Sequence, residues 1–474
     1  MHDTPLPPFK TRARAALADR TLKTAIERTT GNAERKRAAA IAAFPEFDAA
    51  RARGKAIKDH VVANLGHYLE MFERNASATG AQVHWAVDDA EARAIVTRIC
   101  LDAKAKLVTR SKSMLGEEIG LPHALADAGI ERVETDLAEH IIQLAGEAPS
   151  HIIWPAMHRT REQVAELFRT GHHPPPAAED PATMVQSART QLRAKFLGAD
   201  VGISGANFLV ADTGATCTVT NEGNAELTTT PPRIHIVTAG IEKLVPSTAH
   251  AVALLRILVR SATGGELTQY TTFHAGPKRP GDADGPEEMH IVLVDNGRTR
   301  MLADEFREML RCIRCGACMN HCVVYRQIGG HAYGGTYPGP MGAVLTPVLD
   351  GLAQSRDLPH VCTMNGRCQE VCPVGIPIPT LLRAWRIRSW RERLEPGSVR
   401  AGVGIWAWVA RRPALYRLSS RIGVRVLRLF GRRGWISRLP MAGGWTDYRD
   451  MPRPSGRTFM EQYRAEQARK GKSR

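Results

Sequence analysis

CIRCGACMNHC, residues 312–322, places Cys312, Cys315, Cys318 and Cys322 inside eleven positions. A second run, CTMNGRCQEVCP, carries Cys362, Cys368 and Cys372, with Pro373 directly after. Seven of the nine cysteines fall in these two stretches. Three thiols at three-residue intervals on a turning loop reach three corners of one iron–sulfur cube. The fourth, one helical turn on, points away and serves a second cluster. The spacing therefore predicts two interlocked sites. Cys312, Cys315, Cys318 and Cys372 hold cluster one, and Cys322, Cys362 and Cys368 hold cluster two. Zinc fits less well, because structural zinc sites favour two separated C-x2-C pairs. A disulfide framework does not suit a chain of 474 residues without a secretory signal.

The pattern is that of two-cluster bacterial ferredoxins with one departure. In the second run the positions in register are 362, 365, 368 and 372, and position 365 is Asn. The resulting C-x5-C-x3-C-P resembles the iron–sulfur subunits of succinate dehydrogenase and fumarate reductase, which implies a three-iron cluster. Two other readings stand beside it: a four-iron cluster completed by a non-cysteine ligand, and Asn365 as a plain turn residue. The cofactors expected are one [4Fe-4S] cluster and a second of [3Fe-4S] or [4Fe-4S] type. Between the runs, Gly329, Gly330, Gly334, Gly335 and Gly339 predict an irregular loop ahead of a helix over 341–349. Those glycines either let backbone N–H groups approach cluster sulfurs or simply close the distance between the motifs. His321 and His331 read as solvated loop residues rather than ligands. IPIPTLLRAWRIRSW, after Cys372, predicts a helix that packs on the clusters and shields them from water. Cys100 and Cys217 stand alone, as small buried apolar residues do.

A length of 474 residues predicts two to three domains, and 43% hydrophobic content fills ordinary cores. No apolar run approaches 18 residues, so no transmembrane helix is expected. Reduced cysteines and assembled clusters point to the cytoplasm. The net charge of +16 is concentrated at one end, because residues 381–474 carry 23 Lys and Arg against 6 Asp and Glu. An anionic membrane surface or an acidic partner would take such a tail. No nucleic-acid motif is present, so nucleic acid is not expected. In GIWAWVARRPALYRLSSRIGVRVLRLFGRRGW, Ile422, Val426 and Leu429 alternate with Arg421, Arg425 and Arg428 at helical spacing. Trp406, Trp408 and Trp435 suit a bilayer interface or a partner subunit.

Residues 1–77 read as helices with a break at Gly31-Asn32. Residues 78–297 alternate strand and helix patterns, 298–392 hold the cysteine runs, and 393–474 form a basic helical tail. Strands are expected in AKLVTRSKSM, IERVETDLAEHIIQLA, SHIIWPAMH, RIHIVTAGIEKLV and MHIVLVDNG, with a strand pair around Asp212-Thr213-Gly214. Such alternation argues an α/β domain with a mainly parallel sheet. No internal repeat is visible. Gly205, Gly214 and Gly223 mark turns that would face a ligand at the carboxyl ends of strands, or serve turn geometry alone. There is no G-x-G-x-x-G after a strand, so neither a nicotinamide nor a flavin site is expected. Lys112, Glu134, Asp136, Asn207, Asp212 and Glu222 are pocket candidates.

SKSM (111–114), ETDLAEHIIQLAGEAPSHI (134–152), SGANFLVADTGATCTVTNEGN (204–224) and HIVTAGIEKLVPS (235–247) resemble the LUD domain of lactate-utilisation proteins. The whole order of LUD domain, double cysteine motif and basic tail ending near GWTDYRD resembles the LutB/LldF family. Many members of that family carry C-x2-C-x2-C-x3-C-P in the second run, so Asn365 bears on cluster two and not on the family. The resemblance implies a NagB/RpiA/CoA-transferase-like α/β fold followed by an α-helical ferredoxin-like two-cluster domain. It implies an iron–sulfur electron-transfer subunit for oxidation of L-lactate to pyruvate, with electrons passing toward a quinone or other acceptor. Its implied partners are a cysteine-rich subunit related to heterodisulfide reductase and a second LUD protein. The chain itself is expected to supply no proton-abstracting base. The alternatives are a subunit of a glycolate or heterodisulfide system, and a LUD binding protein whose clusters are structural or regulatory.

Overall fold

The computed structural model describes residues 6–440, 443–446 and 449–472. Asp447 and Tyr448 of the GWTDYRD motif lie outside them. Residues 1–391 form one compact unit and residues 392–474 a second.

Four helices open the chain: α1 (Phe9–Ala18), α2 (Arg20–Ala42), α3 (Phe47–Ala63) and α4 (Leu65–Ala78). Asp19 starts α2 by accepting the Leu22 N–H at 2.9 Å. The break expected at Gly31-Asn32 is absent, because α2 runs straight through it. Ala25, Ile26, Thr30, Ala33 and Arg37 are buried along one stripe at helical spacing. Holding that stripe outweighs the roughly 1 kcal/mol that a mid-helix glycine costs.

The α/β expectation is met by a six-stranded sheet, parallel throughout. Its strands are β1 (Gln82–Ala86), β2 (Leu107–Arg110), β3 (Glu131–Glu134), β4 (Val201–Gly205), β7 (Ile234–Gly240) and β10 (Glu288–Val294), in the order β1-β10-β7-β4-β2-β3. Its central strands are apolar on both faces, as parallel strands covered on both sides are. Ile234, Ile236, Val292 and Val294 point into one core with Val96, Ile99 and Cys100. Val237, Ala239, Ile291 and Leu293 point into the other, against Val61, Leu65, Phe72 and Ala76 of α3 and α4. The N-terminal helices are thus the cover of one sheet face.

The expected strand pair is real but belongs to a second sheet. It holds β5 (Phe208–Val210), β6 (Ala215–Thr220), β8 (Leu244–Val245) and β9 (Tyr270–His274), in the order β8-β5-β6-β9. Gly214 (φ 69°) makes the β5–β6 turn, and a Cβ there would lie 2.1 Å from the Ala76 backbone nitrogen. That turn serves packing on α4. Cys100 and Cys217 are fully buried, and burial pushes both thiols up to about 12.

SHIIWPAMH is not a strand. Residues 150–158 form turns instead. His151 Nδ1 accepts the N–H groups of Ile153 and Trp154 at 3.0 and 3.2 Å, and the Ser150 N–H donates to Pro155 O at 3.0 Å. The side chain captures donors that a sheet ladder would need.

In the second unit, the helices Gly397–Ala410 and Pro413–Leu429 contain no buried residue. Ile405, Trp406 and Leu429 are 67%, 65% and 81% exposed. Among the described residues no helix is long and apolar enough to cross a membrane.

Candidate iron–sulfur centre

A short 3-10 helix, Arg307–Arg311, delivers the chain to Cys312. The backbone then passes through left-handed Arg314 (φ 60°) and Gly316 (φ 71°) into a one-turn helix, Ala317–Asn320. The same path recurs at Met364 (φ 61°), Gly366 (φ 82°) and the helix Arg367–Glu370. Cys312, Cys315, Cys318 and Cys322 are matched position for position by Cys362, Asn365, Cys368 and Cys372. The register is legible in the cysteine spacing, but the recurrence of the left-handed backbone between the two loops is not. What recurs is backbone conformation, and in these two runs only cysteines and one glycine are shared.

Cys315, Cys318, Cys368 and Cys372 are buried, while Cys312, Cys322 and Cys362 are partly exposed. Burial pushes the Cys315 thiol up to about 12, and the neighbouring Cys372 and Cys312 push the same way. Burial also raises Cys318, with Cys315, Cys312, Cys368 and Cys372 around it. Cys368 is pushed up to about 12 by burial and then by Cys362 and Cys322. Cys322 is raised by burial, with Cys362 adding to it. Cys312, Cys315 and Cys372 thus act on one another's neighbourhood, as do Cys322, Cys362 and Cys368, and Cys318 feels Cys368 as well as the first three. A cluster bound here would take these side chains as thiolates and release their protons. Backbone N–H groups of Tyr325, Met364 and Ile376 point at the Sγ atoms of Cys322, Cys362 and Cys372, at 3.5, 3.3 and 3.4 Å. Donors of this kind raise the reduction potential of a bound cluster.

Asn365 is exposed, and its Oδ1 accepts the Arg367 N–H at 3.2 Å. At the matched position the Cys315 sulfur accepts the Ala317 N–H. An amide oxygen therefore stands where the repeat has a sulfur. His321 is 5% exposed, contrary to the solvated reading, because its Nδ1–H bonds Ala317 O at 2.9 Å and folds the ring inward. His331 is exposed and bonds Ala148 O at 2.8 Å. The helix Ile378–Arg391 buries Leu381, Leu382 and Trp385, and its Arg386 donates to the carbonyls of Pro359 (2.9 Å) and Cys362 (2.6 Å).

The cysteine loops are also held from afar. Arg37 of α2 donates to Val371 O at 3.0 Å, and Arg51 of α3 to the carbonyls of Glu370 and Cys372 at 2.8 and 2.9 Å. The misread turn at 150–158 lies against the first loop. A Cβ at Gly316 would press on Ile153 and His151, and the Tyr325 hydroxyl donates to Ser150 O at 2.7 Å. Lys58 of α3, 1% exposed, donates to the carbonyls of Glu242 and Leu244. Burial lowers it to about 8, and Glu242 and Cys312 pull the other way. Arg298 is shared by two buried carboxylates, Glu118 (2.8 Å) and Glu242, while Arg314 of the first loop reaches Glu242 at 3.1 Å. Tyr337 donates to Glu118 at 2.6 Å. None of these pairings has a sequence signal, because their members lie tens to hundreds of positions apart.

Of the strand-end candidates, Lys112, Glu134 and Asp136 lie around buried Glu139, whose carboxyl burial raises first. Lys112 bonds the Ile153 carbonyl, and Glu134 pairs with Arg110 and Arg132 at 2.8 Å. Asp136 caps the helix Leu137–Ala145. Asn207 accepts the Val219 N–H at 3.1 Å, Asp212 is exposed in the β5–β6 turn, and Glu222 is exposed in the bend after β6.

The chain matches the LUD domain over residues 69–294 and the 4Fe-4S dicluster domain over 308–376. It is therefore a LUD protein fused to a ferredoxin-like dicluster domain. Residues 391–468 match the C-terminal domain of lactate utilisation protein B. Lactate utilization protein B of Bacillus thuringiensis (strain Al Hakam) is 40% identical over 418 residues, 87% of this chain and 88% of that one. The uncharacterized electron transport protein YkgF of Escherichia coli (strain K12) is 38% identical over 471 residues, 98% of both chains. The chain belongs to the lactate utilisation protein B family. A solved DUF162 family protein from Deinococcus radiodurans matches 48% of this chain and 98% of its own at 14% identity, with a TM-score of 0.29.

Proposed function

We propose that this chain is the iron–sulfur electron-transfer subunit of a complex that oxidises L-lactate to pyruvate. The observation that carries the reading is the pair of repeated cysteine loops, held rigid by Arg37, Arg51 and Arg386 on backbone carbonyls. Cys312, Cys315, Cys318 and Cys372 hold a [4Fe-4S] cluster, and Cys322, Cys362 and Cys368 hold the second. Clusters held by these thiols would supply one-electron transfer at each site. Two such sites match the two electrons released, with two protons, when lactate becomes pyruvate.

The chain's own residues orient the sites and set their potentials. Lys58, Arg37 and Arg314 place positive charge near Cys312 and Cys315, which favours the reduced, more negative state there. Asn365 adds no thiolate, which leaves one corner of cluster two open to loss of iron and favours the [3Fe-4S] form in air. The α/β domain adopts the NagB/RpiA/CoA-transferase-like fold, and the chain divides at about residues 77, 297 and 392. A cysteine-rich heterodisulfide-reductase-like subunit and a second LUD protein complete the complex. It works in the cytoplasm, with the basic tail on a partner or on the inner face of the membrane and a quinone as a suitable final acceptor.

The test is anaerobic reconstitution of the three proteins followed by mixing with L-lactate. Bleaching of the cluster absorbance within turnover time supports the assignment. Clusters that stay oxidised under lactate, but reduce with glycolate or a dithiol, would move the chain to another oxidoreductase.

A further inference from the structure

Beside the second cysteine loop the structure has a cavity of about 570 Å³, lined by Met364, Arg383, Arg386, Ile387, Trp390 and Arg391. Three of these residues are arginines and none is acidic. All but Met364 lie on one face of the helix Ile378–Arg391, in successive turns. Arg383 and Arg391 are exposed, and Ile387 and Trp390 are 46% and 37% exposed. The Met364 N–H bonds Cys362 Sγ at 3.3 Å, and Arg386 bonds the Cys362 carbonyl at 2.6 Å. The cavity wall is thus two residues from a thiol of cluster two. Of the cluster-two thiols Cys322 and Cys362 are partly exposed and Cys368 is buried, whereas of the cluster-one thiols Cys312 alone is partly exposed. Asn365, next to Met364 in the chain, is exposed.

We propose that this cavity is the docking site for an acidic segment of a redox partner protein, and that electrons cross between that partner and cluster two here. The proposal rests on the dicluster reading above. Its occupant follows from the walls. Arginine forks bind carboxylates in paired geometry. Arg, Trp and Met are residue types concentrated in protein interfaces, where Arg and Trp dominate the binding energy. Arginines on both sides of an apolar pair, Ile387 and Trp390, fit a segment in which carboxylates and apolar side chains are interspersed. Opposite charge on the partner would also steer encounter to the thin side of the cluster.

The experiment uses the full chain purified anaerobically with its clusters, beside R383E/R391E, which leaves Arg386 on its carbonyls. Iron content and EPR are measured first. A wild type without iron sinks the dicluster reading and not the cavity alone. Dithionite-reduced protein is then oxidised in stopped flow by ferric EDTA, an anion, and by hexaammineruthenium(III), a cation. We expect the anion-to-cation rate ratio to fall about tenfold in the variant, and the difference to vanish at high salt. A peptide of alternating Glu and Leu should slow oxidation of the wild type and not of the variant. An unchanged ratio with intact clusters overturns the proposal. So does blocking by phosphatidylglycerol vesicles but not by the peptide, which would make the occupant a lipid surface.

Discussion

Replacing Arg298 with Met tests the buried charge network that ties the sheet to the first cysteine loop. Arg298 is 3% exposed and donates to Glu118 and Glu242, themselves 9% and 3% exposed. Met keeps the length of the side chain and removes the charge. Removing one member of a buried ion pair costs about 3–5 kcal/mol. The low end applies here, because Glu118 keeps Tyr337 and Asn296, and Glu242 keeps Arg314. For a cooperative unit of 391 residues, unfolding entropy of about 0.8 kcal/mol/K turns 3 kcal/mol into a Tm loss of about 4 °C. The sign with pH follows from the carboxyls. Burial pushes Glu242 up, but Arg298, Arg314 and Lys243 together bring it down to about 2. A depressed carboxyl contributes stability above its unfolded value of about 4.3 and loses it as pH falls toward the folded one. Without Arg298 the carboxyl rises and takes up a proton sooner, so the gap to wild type should narrow between pH 7.5 and pH 5. The assay is circular dichroism melting of anaerobic holoprotein at one scan rate, since cluster loss makes unfolding irreversible. A Tm within 1 °C of wild type at pH 7.5, or a gap that does not narrow, refutes the argument.

Cys315→Ser should abolish the four-iron EPR signal and lower lactate-dependent growth; full iron content and electron transfer would refute the ligand set. Asn365→Cys should remove the three-iron signal of air-exposed protein, add about one iron per chain and lower the potential of cluster two, because a thiolate adds negative charge. Its exposure keeps the expected stability change within about 0.5 kcal/mol, and an unchanged spectrum would mean that another ligand already fills the corner. Deleting residues 400–474 should release the protein from its partner or membrane fraction, and 1 M salt, where screening shortens to about 3 Å, should do so partly. Unchanged fractionation would remove the tail from docking.

The parallel sheet was legible because its strands are short apolar runs bounded by turn residues. Ile234–Gly240 and Glu288–Val294 need no partner information to be read. The cysteine loops were legible because thiol spacing is set by the chemistry of the cluster. Residues 150–158 were misread because an apolar run looks the same whether it pairs in a sheet or is pinned by a side chain such as His151. Gly31-Asn32 misled because local propensity is weaker than the stripe of residues that α2 buries. The repeat of left-handed Arg314 and Met364 is a conformational identity between unlike residues. The Glu118–Arg298–Glu242–Arg314 network exists only once distant segments meet, whereas the arginine-lined cavity is mostly one helix face whose partner, Met364, the helix alone does not show.

Iron and acid-labile sulfide counted on protein purified without oxygen, together with Mössbauer spectra, test the central claim most directly. The account predicts about seven to eight irons per chain in two distinct cluster environments, with the second sensitive to air. One zinc per chain, or fewer than about four irons after reconstitution, would contradict it.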